Sequence, residues 1–265
     1  MKKALGCLMV LLVVIPAVAA LTPARLEEIA TKDVIPEIQM AAGLALVDYY
    51  ATNKTAAELE TLATGGATEA IREAATRALA RVWVGAGKSY KDLLDLVNDP
   101  AQPIALRRAA IPALMEYLIA KKDSTLETLY TLGRTFEVRY AAAKAYFHNH
   151  RADYKTVEDV EPICLDDSKS DGFRKAAADL LAGLYLFPPT TAKSQAELED
   201  MTLNAENEYI RYAASVALAT VLTKSDLSTT DLLKKVTSFY LNEAFTEEYK
   251  DAYIQALASR WAGEL

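Results

Sequence analysis

"EYIRYAASVAL" (residues 208–218) recurs with small changes as "EVRYAAAKAY" at 137–146 and as "AIREAATRAL" at 70–79. Repetition at a near-constant period is the mark of stacked units, none of which can bury its apolar face alone. With the Arg of this phrase as position zero, the equivalents are Gln39, Arg72, Arg107, Arg139, Arg174, Arg211 and Lys250, at intervals of 33, 35, 32, 35, 37 and 39 residues. Two positions on, the residue is Ala in every copy: Ala41, Ala74, Ala109, Ala141, Ala176, Ala213 and Ala252. Three positions on it is Ala in all copies but one, where Tyr253 stands. Seven positions on come Leu46, Leu79, Leu114, Tyr146, Leu181, Leu218 and Leu257.

At about 100° per residue, positions −1, +3, +6, +7 and +10 share one side of a helix, which makes an apolar face wide enough to pack on neighbours. The alanine columns let adjacent helix axes come close. Position +11 holds Tyr50, Trp83, Leu118, His150, Tyr185, Leu222 and Trp261, large groups suited to plugging the end of each layer. Trp83 and Trp261 are therefore read as core filler rather than as ligand-stacking residues. A shorter helix precedes each repeat, marked by pairs such as Leu59/Leu62, Leu93/Leu96, Leu126/Leu129 and Leu198/Met201. Thr68, Thr135, Ser170, Asn207 and Thr246 stand where an N-cap belongs. Glu69, Glu137, Asp171 and Glu208 follow in the first turn, where the helix dipole favours negative charge. No stretch alternates as a strand would.

The pattern of a short amphipathic helix, a polar turn and then "[IV]R-x-A-A-x-x-A-L" resembles the HEAT-repeat family, in the short HEAT-like form of the phycobilisome-lyase type. The resemblance covers essentially the whole chain after residue 20. It implies an all-α solenoid, a right-handed superhelix of about seven helical hairpins over 21–265, that serves as a binding scaffold. Gln39, Lys250 and Tyr253 depart from the pattern in the first and last units, as terminal caps do.

Residues 1–20 read as a signal peptide. Lys2 and Lys3 precede a short apolar run from Leu8 to Ile15, Pro16 breaks it, and "AVAA" (17–20) offers small residues for cleavage after Ala19 or Ala20. The expected location is periplasmic or secreted. No later stretch is long enough to cross a bilayer. Loss of Lys2 and Lys3 takes the formal charge from −7 to −9, which disfavours nucleic acid as a partner. Only Cys164 would remain, so no intramolecular disulfide is expected.

Signals for chemistry are thin, and the reading is of a non-enzymatic protein with no cofactor, no metal and no catalytic residue. His148 and His150 are two apart and point about 200° from each other on a helix, so they suit a shared ion poorly. Cys164 lies in a short apolar helix and reads as a buried small residue. "GAGK" (85–88) lacks the strand–helix context of a phosphate loop. "EDVEPICLDD" (158–167) and "ELEDMTLNAE" (197–206) read as solvated acidic faces on outer helices. "LYLFPPTTAKSQ" (184–195), the longest and most apolar connection, reads either as a docking loop or as padding for a longer interval.

The resemblance places the second helix of each unit on the concave side, where positions +1, +5 and +9 face inward. That stripe carries Arg77, Arg108, Tyr140, Lys144 and Tyr212, residue types that often anchor protein interfaces. These five are the expected partner-binding residues, and the expected partner is a protein, an acidic or extended polypeptide. A structural subunit of a cell-envelope assembly is the alternative, suggested by "SRWAGEL" (259–265), which leaves the final helix little polar cover. A metal- or ligand-binding protein is the third reading. The repeated Arg at position zero is read as structural, reaching an acid in the adjacent unit.

Overall fold

The computed structural model describes residues 21–86, 88–187, 192–240, 242 and 244–265. The expected signal peptide at 1–20 lies outside them, as do Gly87 and residues 188–191 of the long connection. The chain is all-helical, with fifteen helices and no strand among the described residues. Short helices α1 (Pro23–Lys32), α4 (Ala56–Gly65), α6 (Tyr90–Asn98), α8 (Asp123–Leu132), α10 (Val157–Leu165), α12 (Gln195–Asn204) and α14 (Thr229–Phe239) precede the repeated phrases. The phrases themselves lie on α5 (Glu69–Gly85), α7 (Ile104–Ile119), α9 (Phe136–Asn149), α11 (Asp171–Leu184), α13 (Glu208–Lys224) and α15 (Glu247–Gly263). The first phrase is broken at Leu46 into α2 (Pro36–Ala45) and α3 (Val47–Asn53). There the Leu46 N–H reaches back only three residues, to the Gly43 carbonyl, which tightens the last turn of α2.

Capping chemistry starts the long helices. The side chains of Thr68, Thr135, Ser170, Asn207 and Thr246 accept from the N–H groups of Ile71, Val138, Phe173, Ile210 and Tyr249, each cap contributing about 1 kcal/mol. Four of these hydroxyls do a second job. They donate to carbonyls of the short helix one unit back: Thr68 to Ala30 (2.8 Å), Thr135 to Val97 (2.7 Å), Ser170 to Tyr130 (2.6 Å) and Thr246 to Thr202 (2.7 Å). The cap thus fixes a helix start and a unit-to-unit register at once.

The alanine and leucine columns are buried: the seven Ala at +2, and Leu46, Leu79, Leu114, Leu181, Leu218 and Leu257 at +7. Each leucine withdrawn from water stabilises the fold by about 1.5–3 kcal/mol. Position +11 behaves as its residue types demand. Tyr50, Trp83, Leu118, Tyr185, Leu222 and Trp261 are buried, whereas His150 is half-buried and bonded to acids. Lysines from the following turns lie on several of these rings, Lys54 over Tyr50, Lys88 over Trp83 and Lys193 over Tyr185.

Long helices pack on one another in chain order, α2 on α5, α5 on α7, and so on to α13 on α15. Each short helix lies on its own long helix and on the next one, as α4 does on α5 and α7. A right-handed superhelix with two free ends is the sequence expectation. The contacts differ from it in one respect, because they return to their start. Helix α15 packs on α2, and α14 also reaches α2, as though the first unit followed the last. The physical reason is the apolar end that the sequence leaves on α15. Ile254, Leu257 and Trp261 of α15 are buried, as are Ile38 and Ala42 of α2 and Leu46 at its end, so closure covers what a free end would expose to water.

The position-zero side chains are structural. Arg107 pairs with Glu137 (2.9 Å), Arg139 with Asp171 (2.8 Å) and Arg211 with Glu248 (3.1 Å), each acid lying in the first turn of the next long helix. The guanidiniums of Arg72, Arg139 and Arg211 also donate to the carbonyl six residues back, at Gly66, Gly133 and Ala205. Gln39 makes the same bond to Asp33, so the departure in the first unit keeps the local function. Two glycines mark close backbone approach. A Cβ on Gly43 would overlap the Ala70 carbonyl at the start of α5, and one on Gly172 would stand 2.5 Å from the Tyr140 amide nitrogen.

Candidate functional site

Because the long helices contact each other in a cycle, their positions +1 and +5 turn toward a shared interior. Asp179, at +5 on α11, is its best-defined centre. Its Oδ2 accepts from Lys144 Nζ (2.9 Å) and from the Tyr140 hydroxyl, both on α9, and its Oδ1 accepts from the Tyr212 hydroxyl on α13 (2.8 Å). Three helices are thereby joined through one carboxylate, which is 18% exposed. Burial would raise the Asp179 carboxyl, but Lys144, the Tyr140 hydroxyl and Lys175 together hold it below the ordinary carboxylate range. Burial and the adjacent Asp179 push both tyrosine hydroxyls well above their usual value, so they remain donors.

Lys175, at +1 on α11, lies with its ammonium against the face of the Tyr212 ring. Burial pushes its amine down to about 7; Lys144 and Arg108 act in the same direction and Asp179 and Asp251 oppose them. The ring face favours the ammonium form. Neither Lys175 nor Arg108 donates a hydrogen bond to a carboxylate among the described residues. Arg77, at +5 on α5, pairs with Glu73 (2.7 Å) and borders a cavity of about 440 Å³ with Asp48, Arg81, Gln255 and Ser259. Arg108 borders a second cavity of about 550 Å³ with Arg72, Glu73 and Thr76.

Of the five residues expected from the sequence, the structure brings Tyr140, Lys144 and Tyr212 into one cluster, leaves Arg108 exposed at the second cavity, and places Arg77 at the first. Asp179, Lys175 and Asp251 belong to the same interior and were not among the five. The signal for them was available, since they occupy the same +1 and +5 register; closure of the cycle was needed only to bring Asp251 on α15 toward Arg77 and Glu73 on α5.

Asp251, at +1 on α15, is crowded by charge from its own helix and from α5. Burial, then Glu247, pushes its carboxyl up to about 6, with Arg77 pulling the other way and Glu248 and Glu73 adding to the rise. The ordinary value is 3.8, so between about pH 4 and 6 the folded chain holds a proton that the unfolded chain has lost. Stability therefore falls as pH rises through that window, and the penalty is complete above pH 6. Asp251→Asn is expected to raise the melting temperature at pH 7.5, the gain vanishing below about pH 4. The carboxyl is crowded by its neighbours on α5 and α15, but the residue as a whole remains exposed, so screening keeps the rise modest. Thermal melts of both proteins across pH 3.5–8 check it, and an equal gain at every pH would contradict the assignment.

The remaining candidates are quiet. Cys164 is fully buried, its thiol pushed up to about 12 by burial and Glu161. His150 stands between Asp123 (3.1 Å) and Asp153 (3.3 Å) and stacks on Tyr146, and the Asp123 carboxylate raises its imidazole above the usual value. Among the described residues no group of three or more His, Cys, Asp or Glu side chains could hold a metal ion, and no helix is long and apolar enough to cross a membrane. Comparison of the chain with protein-family models, with curated proteins and with solved structures returned no match.

Proposed function

We propose that this chain is a non-enzymatic, exported HEAT-like scaffold that binds a protein partner through the inward faces of its long helices. Residues 1–20 direct it to the periplasm or outside the cell. Arg77, Arg108, Tyr140, Lys144 and Tyr212 form the recognition surface, and the partner is an acidic, extended segment rather than a folded domain, because the facing helices form a closed cycle. The observation that carries the reading is convergence: one helical register, repeated along the chain, delivers Arg, Lys and Tyr from several helices to one interior. An envelope subunit that stacks end to end has lost its motive, since the apolar end of α15 is covered by α2.

Arg77 and Arg108 are the two residues of this surface that can be reversed without touching the Asp179 cluster. A chain carrying Arg77→Glu and Arg108→Glu is expected to bind a labelled Glu-rich peptide at least tenfold more weakly than wild type in fluorescence anisotropy. It should also recover less of any partner from envelope extract. Unchanged peptide affinity would end the proposal.

A further inference from the structure

Helix α10, whose sequence reads as a solvated acidic face, carries an apolar groove. It packs on α11 and α13, burying Val160 and Cys164 and turning Glu158, Pro162 and Leu165 to solvent. Glu158, Glu161, Pro162, Leu165 and Asp166 line an open groove of about 450 Å³, where Leu165 is 50% exposed. Ser170, in the turn that follows, donates to the Tyr130 carbonyl (2.6 Å), which sets the end of α8 and its exposed Leu132 beside the same turn. Residues 157–170 hold five acids against one base, Lys169, and the structure divides those acids. Asp159 closes the capping box with Thr156, and Asp167 pairs with Arg174 (2.7 Å). The other three, Glu158, Glu161 and Asp166, make no ion pair among the described residues, and they are the three that line the groove. Asp166 accepts only the Ser168 N–H (2.9 Å). Pro162 adds a further acceptor, because it has no N–H and so leaves the Glu158 carbonyl one turn back without its usual helical donor.

We propose that this groove docks a basic polypeptide segment in which an arginine stands next to a leucine or another apolar side chain. The surface is separate from the inward faces and opposite to them in the charge it selects, so the chain would hold two different segments. Complementarity decides the occupant: apolar side chains in water favour a partner that covers them, and unpaired carboxylates around them favour a cation over an anion. Glu158 and Glu161 are three apart and so share one side of α10. A guanidinium, with its planar fork of donors, can bond both a carboxylate and a free carbonyl there. The neighbouring apolar side chain lies over Pro162 and Leu165. The charged part of the attraction is exposed and weakens with salt, whereas the apolar part persists.

Fluorescence anisotropy of the purified protein with a labelled octapeptide of alternating Arg and Leu tests this. Two companion peptides carry Gln for Arg or Ser for Leu, and each is expected to bind at least tenfold more weakly. Glu158→Gln with Glu161→Gln should weaken binding of the Arg/Leu peptide about tenfold or more and flatten its salt dependence. Leu165→Ser should weaken it about fivefold and leave the salt dependence in place. Both variants should melt close to wild type, because Glu158 and Leu165 are exposed and neither acid has an ion pair to lose. Glu127→Gln with Asp226→Asn removes the same charge from exposed positions elsewhere and should leave the affinity unchanged. Absence of binding, wild-type affinity in both α10 variants, or an equal loss in the Glu127 and Asp226 variant overturns the site. Self-association of the protein that Leu165→Ser abolishes would give the groove to a second copy and overturn the basic-segment assignment.

Discussion

Deletion of residues 229–265, the final hairpin, is expected to abolish cooperative folding rather than shorten the protein by one unit. In a file with free ends, removing a terminal unit deletes one interface and exposes one new face. Here α14 and α15 pack on both α2 and the preceding units, so the deletion uncovers the first layer and the sixth together. Tyr253, Ile254, Leu257 and Trp261 are buried on α15 alone, at about 1.5–3 kcal/mol each. Their sum is comparable with the net stability of a whole domain, about 5–15 kcal/mol. The truncated chain should show a broad, non-cooperative melt and associate through its exposed alanine and leucine columns. Circular dichroism melts and light scattering give the readout. A sharp transition from a monomer, only a few degrees below that of the full chain, would mean that α2 and α15 do not depend on each other.

Glu137→Ala is expected to destabilise the fold by about 3–5 kcal/mol. The Glu137 carboxylate is 3% exposed and its partner Arg107 is 15% exposed, with 2.9 Å between them. Removing the acid leaves the guanidinium buried between α7 and α9 with no counter-charge, and its Nε already lacks a hydrogen-bond acceptor. Replacing both residues with apolar groups of similar volume removes the desolvation cost of each, so Arg107→Met with Glu137→Leu should recover most of the loss. Urea unfolding of the single and double variants checks both statements. The same experiment on Arg139 and Asp171, where the acid is 46% exposed, should give a loss of about 1 kcal/mol or less.

These cases show how much was legible before any coordinates. The helices, their alternation of short and long, the N-caps and the buried columns follow from local rules. Helical period, capping hydroxyls and small residues act within a few positions of each other, so their spacing carries the information. The structural role of the repeated Arg was legible too, since Glu137, Asp171 and Glu248 each stand two or three residues before position zero of the next unit. The cluster at Asp179 was half legible. Tyr140, Lys144 and Tyr212 were picked for their types at inward positions. Asp179 and Lys175 stand at the same inward positions of α11 and were passed over, because residue order alone does not give the rotation and axial offset that bring the +5 carboxylate of one helix to the +1 and +5 side chains of its neighbours. His150 is the reverse case, a histidine at an apolar register position whose two acids, Asp123 and Asp153, come from a short helix and a turn.

The sequence by itself determined an all-helical chain of paired helices, with alanine and leucine faces that must pack on their neighbours, because each helix's 3.6-residue period is written in its own residues. Only the tertiary structure decided that the last pair packs on the first, and so which charges share the interior. Closure depends on the small angle between successive layers, accumulated over the whole chain. No local stretch encodes that sum, and the approach of Asp251 on α15 to Arg77 and Glu73 on α5 follows from it.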